Sequence, residues 1–149
     1  MKTLINVSIL VLLLPLSLSA QHDDDPSLSY LRGDYKSVPV VAHVLVRDAE
    51  ITGKVGGYKN WKVTSQVIES LKGRLREGDV IQYFQGTEAR ATKEIFKGEK
   101  IIFLLAEYEA DKKTLRYSIL ENSTLRYTAD RLRKLRIIRR SFAKRRPTR

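Results

Sequence analysis

The spacing of apolar and polar positions changes several times along this chain, and each change marks an element. Across residues 38–51, Val40, Ala42, Val44 and Val46 fall at every second position, with His43 and Arg47 on the opposite parity. A period of two predicts a strand with one buried face, and Pro39 suits the start of a strand. Gly53, Gly56, Gly57 and Asn60 predict a turn or loop after it. Trp61, Val63, Val67 and Leu71 share the parity of a second strand over 61–71. Ser65 and Glu69 interrupt that apolar row, which predicts a bulge or a bend. A third strand over 80–85 has mixed parity and leaves its buried face open. Residues 89–95 read either as a short helix or as irregular chain. Ile101 to Ala106 is an unbroken apolar run, the pattern of a strand buried on both faces. Leu115, Tyr117 and Ile119 alternate with Arg116 and Ser118 in a half-buried fifth strand.

The period then lengthens. Leu132, Leu135, Ile138 and Phe142 lie on one arc at helical spacing. Thr128 is placed to cap the helix, and Asp130 sits in the first turn, where the helix dipole favours an acid. Five short strands with Gly-bearing turns and a final helix predict an all-β fold with a C-terminal helix. The economical form is a small five-stranded OB-like barrel over 38–127, with a small sandwich as the alternative. On this reading, removing everything after Tyr127 leaves a folded barrel.

The N-terminus follows a different logic. Lys2 precedes an apolar stretch densest at Ile9–Leu14, then Pro15 and the small residues Ser17, Ser19 and Ala20. Residues 1–20 therefore read as a signal peptide, too short and too interrupted for a membrane span, and the chain is expected to be secreted or periplasmic. Cleavage is expected after Ser19 or after Ala20. Residues 21–37, opening with His22-Asp23-Asp24-Asp25-Pro26, read as a flexible polar leader.

Composition adds charge and removes chemistry. The 149 residues carry a formal charge of +11 and no cysteine. Residues 126–149 hold eleven Lys/Arg and one acid, whereas the rest holds 17 basic against 16 acidic residues. A nearly neutral domain thus bears a cationic C-terminal segment at 128–149. Without cysteine there is no disulfide, thiolate metal site or cysteine nucleophile. A disulfide-free exported protein fits a bacterial envelope better than an animal extracellular space.

Several of these segments resemble a known family. Trp61-Lys62-Val63-Thr64 followed by Val67–Gly73, Gly78-Asp79 leading into a strand, and Phe96-Lys97-Gly98-Glu99 running into Ile101–Leu105 resemble the tissue-inhibitor-of-metalloproteinase-like (netrin-like) OB-fold superfamily. The resemblance spans roughly 38–127. It implies an OB barrel. The animal inhibitors of that superfamily present a cysteine to the protease zinc, and this chain has none, so it resembles the cysteine-free bacterial type and no inhibitory residue carries over.

The candidate chemistry is sparse. No GxSxG, HExxH or P-loop is present, and the only histidines are His22 and His43. His43 reads as a half-exposed strand residue, and no catalytic residue or cofactor is expected. If cleavage leaves Ala20 as the N-terminus, its amine, two backbone amides and His22 form a square-planar nitrogen site for Cu(II) or Ni(II). The strongest signal is the basic segment: Arg131, Arg133, Lys134, Arg136, Arg139, Arg140, Lys144, Arg145 and Arg146 are candidates for binding phosphate or carboxylate groups. The competing reading docks the helix's apolar arc on the barrel and leaves its charges in water. Tyr58 and Tyr83 are candidate contacts on the barrel face where OB folds bind ligands, weighed against core positions. Asn122-Ser123-Thr124 is a glycosylation sequon.

These features predict an exported, non-enzymatic OB-fold binding module whose cationic segment meets an unknown protein or an anionic envelope component. Lipid head groups, lipopolysaccharide and acidic glycans belong to that class, with peripheral membrane contact and no role for nucleic acid. The alternatives are a metalloproteinase-inhibitor-like protein and a structural accessory protein of the cell envelope.

Overall fold

The strands predicted from alternation form, and they are longer than the pattern implied. A computed structural model describes residues 25–108 and 115–144. Its elements are α1 (Leu28–Ser37), β1 (Val40–Val55), β2 (Tyr58–Lys72), β3 (Val80–Glu88), a 3-10 turn (Lys93–Phe96), β4 (Glu99–Tyr108), β5 (Leu115–Arg126) and α2 (Ala129–Ala143). The five strands close into a barrel in the order β1-β2-β3-β5-β4. All neighbours are antiparallel except β3 and β5, which are parallel. This is an OB-like barrel with a C-terminal helix. The loop expected around Gly53–Asn60 shrinks to Gly56-Gly57, because Val55 already pairs with Tyr58. Gly56 takes φ +56°, as such a two-residue hairpin turn demands.

Two cores lie on opposite sides of β1 and β4. Inside the barrel, Val40, Ala42 and Val44 meet Val63, Val67, Tyr83, Ile102 and Leu104. Trp61 and Phe96 join the same core, their rings 5.1 Å apart. Outside, Val41, Leu71, Ile101 and Phe103 pack beneath Leu31 and Tyr35 of α1 and Leu132, Leu135 and Ile138 of α2. Both faces of β1 are therefore covered, and its first five residues are buried without a break.

The expected flexible leader is corrected by α1. Ser27 caps this helix by accepting a hydrogen bond from the Tyr30 amide (3.2 Å). Leu31 and Tyr35, one turn apart, both point into the outer core. Tyr35 Oη donates to the Leu71 carbonyl (2.8 Å). At the other end, the Lys72 ammonium donates to the carbonyls of Tyr35, Lys36 and Val38, so a cation satisfies the orphan acceptors at a helix C-terminus. Burial holds the Lys72 pKa below its usual value.

The bulge expected in the second strand is real and has a clear purpose. Against β1, residues Ile68 and Leu71 are left without a partner in the register. Each extra residue shifts the side-chain alternation. Val67 still faces the barrel interior with Trp61 and Val63, while Leu71, past the first bulge, reaches the outer core. Ser65 needs no bulge: it keeps the inward parity of Trp61 and Val63 and is buried as a polar residue. Past the strand, Gly73 has φ +99°, and a Cβ there would stand 3.0 Å from both the Pro39 carbonyl and a Val40 methyl.

Strand β5 closes the barrel sparingly. Among the described residues its pairs with β3 are Tyr83–Tyr117 and Phe84–Ser118. Against β4 its register breaks between Ile102–Thr124 and Leu104–Ile119. Helix α2 then starts as expected, with Thr128 Oγ1 accepting from the Arg131 amide (3.2 Å). Its last turn brings Phe142 onto the Tyr35 ring, with centroids 5.6 Å apart. The helix docks, and its apolar arc supplies much of the outer core. A cut after Tyr127 would remove Leu132, Leu135 and Ile138 from above Val41, Ile101 and Phe103, so a barrel without α2 would carry an apolar face that only α1 covers.

Candidate anion-binding face

Helix α2 divides its cations by position. In its first half they are engaged with acids of the same molecule. Arg131 is 2% exposed. Its Nε donates to Asp25 Oδ1 (3.1 Å) and its Nη1 to the Arg126 carbonyl (2.8 Å). Lys134 pairs with Asp25 and with Asp130, and Arg133 pairs with Asp130. Hydrogen bonds from Arg133 and then Lys134 hold the Asp130 carboxyl down at about 2. Arg136 grips Glu69 with two parallel bonds, Nε to Oε1 (3.2 Å) and Nη2 to Oε2 (2.6 Å). That fork fits a carboxylate well and pushes the Arg136 pKa up.

The second half is different. Arg139 Nη1 donates to the Ser70 carbonyl (3.3 Å) and lies 3.8 Å from Glu69. Arg140 and Lys144 have no side-chain partner among the described residues. Arg145 and Arg146 lie outside the described residues, as do His22 and Ala20 of the proposed nitrogen site. Of the candidate set, Arg140 and Lys144 are thus unpaired among the described residues at one end of the helix, Arg139 is held by one nitrogen only, and Arg131, Arg133, Lys134 and Arg136 serve the fold.

Beside that end is a groove of about 790 Å³ between the last turns of α1 and α2 and the end of β2. Leu71, Leu75 and the stacked Tyr35 and Phe142 rings give it apolar surface. Lys36, Lys72 and Arg139 give it positive charge, and no carboxylate is among its lining residues. The sequence pattern did not reveal it, because its parts come from three separated segments. The one signal was Leu31 and Tyr35 at helical spacing behind Ser27.

The aromatic candidates separate. Tyr58 is 65% exposed at the β1–β2 hairpin, as a face contact requires. Tyr83 is wholly buried inside the barrel, so its candidacy as a surface contact is corrected in favour of the core position. Burial pushes its phenol up to about 12, with the nearby Ser65 hydroxyl acting in the opposite sense. The two hydroxyls are close, but neither meets hydrogen-bond geometry with any group of the described structure. The outer face of the β3–β5 seam instead carries Phe84, with the Arg116 guanidinium 3.9 Å above its ring.

His43 also differs from expectation. It is 4% exposed. Its Nε2 lies 2.8 Å from Glu99 Oε2, and its ring stacks on Tyr127 with centroids 4.4 Å apart. The alternation assigned it to a solvent face that the docked helices in fact cover. Among the described residues no group of three His, Cys, Asp or Glu gathers as a metal site, and no helix is long and apolar enough to cross a membrane. No protein-family model matches the chain, and a search of curated proteins found no match.

Proposed function

We propose that this chain is an exported, non-enzymatic OB-fold binding module that holds an anionic envelope partner at the C-terminal end of α2. The supporting observation is the division of charge along that helix. Its first four cations are neutralised by Asp25, Asp130 and Glu69. Arg139 shares Glu69 only at 3.8 Å, Arg140 and Lys144 have no ion pair among the described residues, and Arg145, Arg146 and Arg149 follow in the sequence. Concentrated, uncompensated charge at one end of a docked helix attracts phosphate or carboxylate groups and releases them as salt rises. The signal-like residues 1–20 support export, and the resemblance of residues 38–127 to netrin-like OB domains belongs to the same proposal.

The test is retention of residues 21–149 on anionic vesicles and on an acidic polysaccharide, with neutral counterparts, at low and high salt. A second chain ends at Ala143, which leaves the packed helix whole. Binding to anionic supports alone, weakened by salt and by the truncation, is the expected result. Equal binding to neutral supports, or none to any, would refute the reading.

A further inference from the structure

Resting on the anionic-partner reading, we propose that the groove between α1, α2 and β2 seats the phosphate head group of an anionic phospholipid. Arg139 is the principal ligand. Only its Nη1 is engaged, so Nε and Nη2 have no partner among the described residues and retain the planar fork that fits two phosphate oxygens. Lys36, on the opposite wall, has no ion-pair partner among the described residues. The Lys72 ammonium adds positive potential while bonded to the carbonyls of α1. Glu69 lies outside the lining, 3.8 Å from Arg139 Nη1 and held by the two-bond fork of Arg136.

The floor selects among anions. Leu75 and Phe142 offer apolar surface beside the cations, and the Tyr35 hydroxyl of the lining is already spent on the Leu71 carbonyl. The carbons next to a lipid phosphate would cover that surface, as an acidic glycan would not. The chain's own C-terminal residues are excluded as occupants by charge, because Arg145, Arg146 and Arg149 are repelled by the same cations.

The experiment is titration of residues 21–149 with phosphatidylglycerol–phosphatidylcholine vesicles, against pure phosphatidylcholine. Two groove variants are compared: the Lys36→Glu/Arg139→Glu double substitution, and Ala143→Trp, which fills the groove without changing charge. Lys54→Glu, at the far hairpin, is the charge control, and circular dichroism confirms that each variant folds. Both groove variants should weaken binding roughly tenfold, and the control less than about threefold. If the groove variants match the control while truncation after Ala143 abolishes binding, the groove is refuted and the anionic-partner reading stands. If the parent chain binds acidic polysaccharide and not these vesicles, the lipid assignment alone falls. Binding to neither refutes both.

Discussion

Replacing Asp25 by alanine would take a carboxylate from the buried guanidinium of Arg131, which keeps its bond to the Arg126 carbonyl. That side chain is 2% exposed, and Asp25 meets it through a 3.1 Å contact at Nε. Removing one partner of a fully buried ion pair costs about 3–5 kcal/mol, because the remaining charge is left desolvated. Asp25 is itself 43% exposed, so water can enter its place and recover part of that loss. We therefore expect a destabilisation of about 1.5–3 kcal/mol, corresponding to a fall in melting temperature of about 5–10 °C for a domain this size. Arg131→Met removes the charge and keeps an apolar stem. In that background Asp25→Ala should cost far less, only what it takes from Lys134. The assay is chemical denaturation of the parent, both single variants and the double. A coupling energy of at least about 1 kcal/mol is expected. An equal cost of Asp25→Ala in both backgrounds would show that the carboxylate does not serve the buried cation.

Three other outcomes follow from the geometry. Asp130 titrates at about 2 in the folded protein against a reference of 3.8. Its ion pairs therefore stabilise fully above the unfolded value and are lost as pH falls through about 2, so Asp130→Asn should melt below the parent at neutral pH and match it in strong acid. Tyr83→Phe removes a buried hydroxyl without a hydrogen bond and should be neutral or stabilising by up to about 1 kcal/mol in denaturation; a loss of that size would mean the hydroxyl is bonded. Gly73→Ala forces a Cβ against backbone at positive φ and should cost about 2–3 kcal/mol, whereas Gly78→Ala, with φ +87° and open space, should cost about 1 kcal/mol.

The barrel was legible because its inner face obeys a period of two at Val40, Ala42, Val44, Trp61 and Val63. The outer core was not, because it overlays that pattern. Val41 sits on the parity assigned to solvent, yet helices cover it. His43 was misplaced for the same reason. In α1, the two buried residues Leu31 and Tyr35 and a central Gly33 are too weak a signal against Asp34, Arg32 and Lys36. The basic segment was read correctly as a helix, but its division into paired and outward cations depends on Asp25 and Glu69. Those acids lie 106 and 67 residues away from the arginines they meet, and no local pattern reports such pairings.

The outer core also constrains the life of the nascent chain. It joins Leu31 of α1 to Phe142 of α2, spanning almost the whole described sequence. While the polypeptide is being synthesised, the strip of Val41, Ile101 and Phe103 has only α1 to cover it until α2 emerges. An incomplete chain therefore exposes a sticky seam that chaperones can bind and other chains can join. Any premature stop before α2 leaves that seam with α1 alone over it, and makes the shortened product a target for degradation rather than a smaller working domain.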